Sequence, residues 1–229
     1  MNRYAIGDIH GGLQTFLALI RRLSPRHDDR VYLLGDYVDR GPDSKGVLDA
    51  IISMREAGCD VRPLLGNHDD MLLRSAIGRH DNYSQHWLKA WGGHTLKSFG
   101  SSSADQLPER YLNFLASLPL SLSDGAFFLA HAGLDMTKND PVSESSPEQM
   151  LWGDAAYCGQ GRDLGGVTLV TGHKVRTLDG IRASLATCHM QIDNGAFTGF
   201  GRDHGNLVAI NLDTRELYLQ PWLDGEAIW

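Results

Sequence analysis

Long apolar runs and an excess of basic residues are both missing from this 229-residue sequence. No stretch approaches the roughly 18 consecutive apolar residues that a membrane-spanning helix needs. Lys and Arg number 21 against 28 Asp and Glu, which gives a formal net charge of -7. This charge gives no basis for a surface that neutralises many nucleic-acid phosphates. We therefore expect neither nucleic acid nor a membrane as a partner.

Paired cysteines are also missing. The three cysteines, Cys59, Cys158 and Cys188, are odd in number, far apart and without a CxxC motif. This pattern argues against both a disulfide framework and a structural zinc site. The amino terminus enters its first apolar segment without the charged and apolar regions of a secretory signal. We expect a cytoplasmic protein with reduced thiols.

Internal repeats and low-complexity segments are absent as well. The composition, 42% hydrophobic and 21% charged, is typical of an ordinary globular chain. A chain of this length can bury a substantial core in one domain. We predict a single domain over residues 1–229.

The first seventy residues alternate short apolar segments with longer segments of helical periodicity. Strands are predicted at 4–6, 31–34 and 61–65, with a helix between each pair. This order is typical of parallel crossovers with helices packed on a sheet. Residues 71–118 are mostly helical in pattern and predict an inserted helical cap.

Strand patterns dominate the remainder of the chain. Residues 127–130 and 167–170 are apolar strands, and the polar stretch 136–147 predicts a long surface loop. The predicted fold class is α/β, a sandwich of two mixed sheets flanked by helices. The last part of the chain predicts an antiparallel second sheet of hairpins, with strands at 181–185, 189–192, 207–212 and 216–219.

Five short polar motifs stand where predicted strands end. In sheets with parallel crossovers, ligands gather beyond the carboxyl ends of the strands. One such motif could be a turn, but five together predict a shared site. The motifs are Gly7-Asp8-Ile9-His10-Gly11, Gly35-Asp36-Tyr37-Val38-Asp39-Arg40-Gly41, Gly66-Asn67-His68-Asp69, His131-Ala132-Gly133 and Gly172-His173.

The motifs offer carboxylate, amide and imidazole ligands. Asp8 and His10 lie two residues apart, so in an extended chain both point to one face and can share a cation. Asp36 follows the next strand, where its two oxygens could bridge two cations. The second cation would be completed by Asn67, His131 and His173.

A mixed nitrogen and oxygen shell suits transition metals better than calcium or magnesium. We expect two divalent ions, manganese first, with iron and zinc as alternatives. Two cations about 3.5–4 Å apart activate a bridging water and hold both sides of an in-line phosphoryl displacement. The predicted chemistry is hydrolysis of phosphate esters.

Three further residues fit roles in proton transfer and substrate binding. His68 could donate a proton to the leaving oxygen, with Asp39 holding its ring. Arg40 offers a planar fork of donors that matches two phosphate oxygens. Asp39 and Arg40 could instead form a structural ion pair that caps the next helix. Trp87 and Trp91, one helical turn apart, are expected to pack inside the cap.

These motifs resemble the phosphoprotein phosphatases, a family of metallophosphoesterases that contains calcineurin and the small bacterial and phage serine/threonine phosphatases. The resemblance runs in order from Gly7 to His173. It implies that His68 and Asp39 are the acid pair and that Arg40 binds phosphate. No obligate regulatory subunit is evident. The implied ligands are Asp8, His10 and Asp36 on one metal and Asp36, Asn67, His131 and His173 on the other.

The family also carries a second phosphate-binding arginine near a tryptophan-containing loop. The segment Leu151-Trp152-Gly153-Asp154 has no arginine, and Arg162 is the substitute that the sequence offers.

Two hydrolytic functions remain open. The leading prediction is dephosphorylation of phosphoserine and phosphothreonine proteins by direct attack of a metal-bridging hydroxide. The alternative is hydrolysis of dinucleoside polyphosphates or other small phosphoesters by an enzyme similar to diadenosine tetraphosphatases. Because the second motif of those enzymes usually lacks the equivalent of Asp39, the complete motif here favours the first. A non-catalytic scaffold on this fold would be expected to have lost metal ligands, and all six are present.

Overall fold

The computed structural model of the protein describes residues 1–79, 81–153, 164–198 and 203–225. Its strands are short, and most are almost fully buried. In chain order they are β1 (Arg3–Ile6), β2 (Arg30–Leu33), β3 (Asp60–Pro63), β4 (Ser121–Asp124), β5 (Phe127–Ala130), β6 (Thr168–Thr171), β7 (His189–Gln191), β8 (Asn206–Asn211) and β9 (Leu217–Pro221).

The helices occupy the connections between strands. The first two show the expected signals at their ends: Asp43 accepts a hydrogen bond from the backbone of Gly46 at one amino terminus, and Ser24 adopts a left-handed conformation at one carboxyl terminus. The helices are α1 (Leu13–Leu23), α2 (Ser44–Glu56), α3 (Asn67–Ala76), α4 (Asn82–Ala90), α5 (Gly92–Phe99), α6 (Glu109–Ala116), α7 (Pro141–Glu144), α8 (Pro147–Trp152) and α9 (Leu178–Ser184).

Two mixed sheets form the centre of the fold. The first has the order β3-β2-β1-β8-β9, in which β1 pairs parallel with β2 and antiparallel with β8. The second has the order β4-β5-β6-β7, with β5, β6 and β7 parallel. The predicted α/β sandwich of two mixed sheets flanked by helices is confirmed.

The layer between the two sheets is apolar. Tyr32 of β2 and Leu64, which follows β3, pack with Leu129, Val170 and Met190 of the second sheet. All five side chains are fully buried. A second core lies on the other side of the first sheet, where Phe16 and Leu48 of α1 and α2 are fully buried. Each fully buried side chain of this size contributes about 1.5–3 kcal/mol. The sheets therefore form a rigid base for the loops at their edge.

The prediction for the carboxyl-terminal strands is partly wrong. Residues 181–185 fall mostly in α9, because Ile181 and Leu185 are four residues apart, a helical spacing, and the side chain of Thr177 accepts a hydrogen bond at the helix amino terminus. The hairpin β8–β9 extends the first sheet instead of forming a second antiparallel one. The predicted loop 136–147 contains the short helix α7, whose amino terminus is capped by Asp140.

Four helices, α3 to α6, lie between β3 and β4. We call α4 and α5 the cap helices. The first packs on α3 and the second on α2. In the described ranges, no helix is long and apolar enough to cross a membrane.

Candidate metal centre and active site

Each side chain predicted as a metal ligand follows a strand at the same edge of the sandwich. Asp8 and His10 follow β1, and Asp36 follows β2. Asn67 begins α3 after β3, His131 directly follows β5, and His173 comes just after β6, the parallel neighbour of β5. Parallel strands place their carboxyl ends together, so the two sheets bring these side chains to one edge, where His10, Asp36, Asn67 and His173 line a pocket.

Asp36 lies at the centre of the pocket and is only 2% exposed. One carboxylate oxygen, Oδ2, is 3.5 Å from His10 Nε2, and the other, Oδ1, is 3.5 Å from His131 Nε2. Two groups of potential ligand atoms within 4.8 Å of one another share this residue. One contains His10 and His68, and the other His131 and His173. Asp36 therefore has the geometry of a bridging carboxylate.

Backbone carbonyl groups orient two of the imidazoles. His10 Nδ1 is 3.0 Å from the carbonyl oxygen of Val38, and His131 Nδ1 is 2.8 Å from that of Leu34. A carbonyl can only accept, so Nδ1 carries the proton in each ring and Nε2 keeps its lone pair for the pocket. Burial lowers the pKa of both rings, which favours the neutral form that binds a metal.

The contacts of Asn67 provide a test of whether the pocket fits a cation. Its Oδ1 lies 2.7 Å from His131 Nε2 and 3.0 Å from His173 Nδ1. With Nδ1 of His131 donating to Leu34, its Nε2 and Asn67 Oδ1 are two acceptors that face each other. Burial and the neighbouring His131 also lower the pKa of His173 to about 3. A cation coordinated by these lone pairs removes their repulsion, so the donor set fits a metal.

Asp8 lies beside these groups. Its carboxylate accepts the backbone N–H of His173, at 3.0 Å to Oδ2, and it is not among the two compact ligand groups. Burial raises the pKa of Asp8, and the nearby charges of Asp193 and Asp36 raise it further. Three carboxylates crowded in a buried pocket are the arrangement that bound cations stabilise.

Asp69 holds two of the loops together. It is fully buried, and its Oδ2 accepts the backbone N–H of Asp36 at 2.9 Å and of Gly66 at 3.0 Å. Its Oδ1 accepts the N–H of Tyr37 at 3.1 Å. In return, Asp36 Oδ1 accepts the N–H of His68 at 3.0 Å. The loops after β2 and β3 are thus tied to each other around the bridging carboxylate.

The backbone is strained at the site. Five of its non-glycine residues have a left-handed φ: His10 (47°), Asp36 (53°), Asp39 (71°), Arg40 (62°) and His173 (64°). Such conformations cost on the order of 1 kcal/mol or more each and concentrate at functional sites.

His68 and Asp39 form the pair expected for proton donation. His68 Nδ1 is 2.7 Å from Asp39 Oδ2, and both side chains are buried. Burial alone would lower the pKa of His68, but the charge of Asp36 and the hydrogen bond with Asp39 raise it, which favours the protonated ring. His68 also belongs to one potential ligand group, but the short bond to Asp39 favours the acid role.

Arg40 lies among aromatic side chains at the pocket. Its guanidinium carbon is 4.4 Å from the ring centre of Phe197 and 5.3 Å from that of Trp91. Its buried Nε has no hydrogen-bond partner within the described part of the chain. A buried donor without a partner is costly, and a substrate phosphate oxygen would satisfy it. Among the described residues, Asp39 pairs with His68, and no ion pair joins Arg40 to Asp39.

The pocket has a volume of about 160 Å³, which suits a phosphoryl group rather than a whole nucleotide. Its lining includes five side chains that the motifs did not single out as pocket residues: Trp91, Trp152, Val175, Asp193 and Phe197. Asp193 could have been found, because it follows β7 in the same way as the other site residues follow their strands. Arg162, predicted to bind substrate, lies outside the described residues.

Residues 1–208 match the family model of the calcineurin-like phosphoesterases. The chain therefore belongs to this family of metallophosphoesterases, which uses a binuclear divalent metal centre. The predicted metallophosphoesterase family and its fold are confirmed.

Part of the chain is similar in sequence to two curated bacterial enzymes. Over 80 residues, 34% of this chain, it is 48% identical to a symmetrical bis(5'-nucleosyl)-tetraphosphatase of Acidovorax sp. (strain JS42). Over 135 residues, 58% of this chain, it is 35% identical to the enzyme of that name from Nitrosomonas europaea. The matches cover 27% and 45% of those proteins, so the chain spans less than half the length of the curated relatives it matches.

Solved structures share the fold. A candidate diadenosine tetraphosphatase aligns with 98% of this chain and 95% of its own, with a TM-score of 0.68 and 21% identity. A serine/threonine phosphatase from Saccharomyces cerevisiae aligns with 97% of this chain and 80% of its own, with a TM-score of 0.65 and 15% identity. These likenesses concern the fold alone.

The leading prediction, dephosphorylation of phosphoserine and phosphothreonine proteins, is wrong, because the sequence relatives are tetraphosphatases. The phosphoprotein substrate is likewise unsupported. The prediction depended on Asp39 and Arg40. In the structure, Asp39 is hydrogen-bonded to His68, and Arg40 lines the pocket. The pocket has room for one phosphoryl group, which both substrates carry, so these residues do not distinguish the two substrates.

Proposed function

We propose that this protein hydrolyses dinucleoside polyphosphates, cutting a symmetrical tetraphosphate into two nucleoside diphosphates. The single observation that carries the phosphoesterase part is the bridging geometry of Asp36, with an imidazole at 3.5 Å from each carboxylate oxygen. The substrate class is supported by the similarity to symmetrical bis(5'-nucleosyl)-tetraphosphatases. In this proposal, the pocket binds one phosphate of the substrate, and the remainder of the substrate lies outside the pocket.

The residues that would hold the two metals fall into two sets that share Asp36. We assign Asp8, His10 and Asp36 to one ion, and the other ion shares Asp36 with a second set. Two bound divalent ions would supply a nucleophile from water and neutralise charge on the phosphoryl group. We propose manganese, because imidazole and carboxylate ligands together suit it. The second set consists of Asn67, His131 and His173.

His68 and Arg40 would act on the substrate itself. The Nδ1 bond to Asp39 fixes the ring of His68, so that Nε2 is the nitrogen that can donate a proton to the oxygen leaving phosphorus. The guanidinium of Arg40 would bind equatorial oxygens of the phosphoryl group, satisfying its unpartnered Nε. Both groups surround the reacting phosphorus and contact no base or ribose.

Product analysis tests this proposal. Protein stripped with a chelator and reloaded with manganese is incubated with diadenosine tetraphosphate, and the nucleotides are separated by ion-exchange chromatography. We expect adenosine diphosphate as the sole product, and no turnover before metal is added. Formation of adenosine monophosphate with the triphosphate would contradict symmetrical cleavage. Absence of hydrolysis with manganese, iron and zinc alike would reject the proposed function.

A further inference from the structure

The carboxylate of Asp39 is held by the cap as well as by His68. Trp87 Nε1 donates to both of its oxygens, at 3.0 Å to Oδ1 and 2.8 Å to Oδ2. Thr95 Oγ1 donates to Oδ1 at 2.6 Å. Asp39, Trp87 and Thr95 have no exposed surface. The expected packing role of Trp87 therefore coexists with a polar contact at the acid pair.

The hydrogen bonds of Asp39 show where the hydroxyl proton of Thr95 lies. The backbone N–H of Asp39 donates to Thr95 Oγ1 at 2.9 Å and to Ser44 Oγ at 3.1 Å. Thr95 Oγ1 is thus an acceptor from the backbone, and its only proton goes to the carboxylate of Asp39. Ser44 Oγ lies 3.0 Å from Thr95 Oγ1 and belongs to the same hydrogen-bond network. The hydroxyl group of Thr95 thus contacts both the backbone and the side chain of Asp39.

Local sequence explains how the cap reaches this point. Trp87 lies in α4 and Thr95 in α5, and the two helices meet at Trp91. A Cβ atom on Gly92 would lie 2.8 Å from the indole ring of Trp87, so glycine there leaves room for the ring. The N-terminal turn of α4 is capped by Asp81, which accepts from Ser84 N. The cap helices thus present two donors to one buried carboxylate.

We propose that Trp87 and Thr95 are positioning residues for proton donation: they fix Asp39, and through it the ring of His68, during cleavage of the substrate's P–O bond. The inference rests on the proposed function. An ionised carboxylate with no exposed surface requires several donors, and the two cap residues supply those that His68 does not. Their loss leaves the carboxylate free to rotate away from His68 Nδ1. Neither residue lines the phosphoryl pocket, so substrate binding should be unaffected.

Two substitutions at one position separate this role from general support of the fold. Thr95→Val keeps the shape but removes the hydroxyl, whereas Thr95→Ser restores the hydroxyl. Trp87→Phe is the second variant: it removes the indole N–H donor and one ring of the indole while retaining an aromatic side chain. Ser84→Ala is the matched control, because it removes a buried cap hydroxyl that bonds to Arg79 and Asp81 and does not contact Asp39.

The first readout is the nuclear magnetic resonance signal of the His68 imidazole N–H proton, measured by nitrogen correlation on zinc-loaded protein. The signal is assigned by its loss in His68→Asn. We expect the Nδ1 proton signal to shift or disappear in Thr95→Val and Trp87→Phe. It should persist in Thr95→Ser and Ser84→Ala. An unchanged signal in both Thr95→Val and Trp87→Phe overturns the proposal, whether or not the protein is an active hydrolase.

The second readout compares leaving groups. 4-Nitrophenolate leaves without a proton, whereas an unsubstituted phenolate needs one. We expect Thr95→Val and Trp87→Phe to lower kcat on phenyl phosphate by about 10- to 100-fold, the usual effect of losing an orienting partner. On 4-nitrophenyl phosphate, kcat should change much less, and KM should stay constant on both. Equal losses on both esters would contradict the proposal, and a wild-type protein that does not hydrolyse diadenosine tetraphosphate would instead reject the proposed function.

Discussion

The strand-end loops and the cap helices reach the same pocket in different ways. The loops carry their chemistry in short motifs, with Asp36 and His173 in left-handed conformations directly after buried strands. The cap contributes Trp87 and Thr95 from the interior of two helices, without a motif around either. The predicted metal ligands are therefore recognisable in the sequence, whereas Trp87 and Thr95 are found near the site only in three dimensions.

The loop region should be the more sensitive of the two. We expect Asp36→Ala to lower kcat/KM by at least about 1,000-fold, because it removes the carboxylate that faces both ligand groups. Elemental analysis should find less than one metal ion per chain. Asp49→Ala is the control, because Asp49 pairs with Lys45 on the surface. Retention of two metals with activity within tenfold of the wild type would disprove the bridging role.

Close packing of glycine against a ligand provides a second test of the loops. A Cβ atom on Gly172 would lie 2.1 Å from Asp8 Oδ1. We expect Gly172→Ala to displace Asp8 and to weaken metal affinity by about 10- to 100-fold, as measured by isothermal titration calorimetry. Gly93→Ala in α5 is the matched control, because a Cβ atom there meets nothing within 4 Å. Equal metal affinities in the two variants would show that Asp8 is not a ligand.

The loops also depend on the carboxylate of Asp69. Its replacement by Asn removes one of two acceptor oxygens and leaves backbone N–H groups of the loops unsatisfied. We expect a loss of about 2 to 4 kcal/mol in the free energy of unfolding. Denaturant titration measures this loss. Asp70→Asn, at the adjacent position, breaks a helix-surface ion pair with Arg74 and should cost about 1 kcal/mol or less. Similar costs for both variants would refute the positioning role of Asp69.

The smallest effect is expected where the cap contacts the rest of the molecule away from Asp39. Tyr83 donates to the exposed Glu148 at 2.6 Å. We expect Tyr83→Phe to change the free energy of unfolding by less than about 0.5 kcal/mol and kcat by less than about twofold, in contrast to Thr95→Val. Thermal denaturation and steady-state kinetics measure both. A larger loss of kcat in Tyr83→Phe would mean that the cap acts on the site through more than Asp39.

The sequence predicted the sandwich and the convergence of the motifs because both depend on local patterns. Buried strands appear in the sequence as short apolar segments, and the carboxyl ends of parallel strands lie at the same edge of a sheet. The strand predicted at 181–185 failed because a segment with apolar residues four apart fits either structure. The sheet membership of β8 and β9 was unpredictable, since pairing with β1 connects residues about 200 positions apart.

The substrate was predicted incorrectly for a different physical reason. His68 and Arg40 line a pocket with room for one phosphoryl group, and that group is the same in a phosphoprotein and in a dinucleoside polyphosphate. Discrimination depends on side chains that contact the remainder of the substrate. Trp91 and Trp152 at the pocket are candidates, and no periodicity or spacing identified them as pocket residues.

The proposed substrate class is most directly tested by comparing kcat/KM for diadenosine tetraphosphate and for a phosphothreonine peptide, with the same manganese-loaded protein. We expect a preference of at least about 100-fold for diadenosine tetraphosphate, equivalent to about 2.7 kcal/mol in transition-state stabilisation. Equal values, or a preference for the peptide, would contradict it.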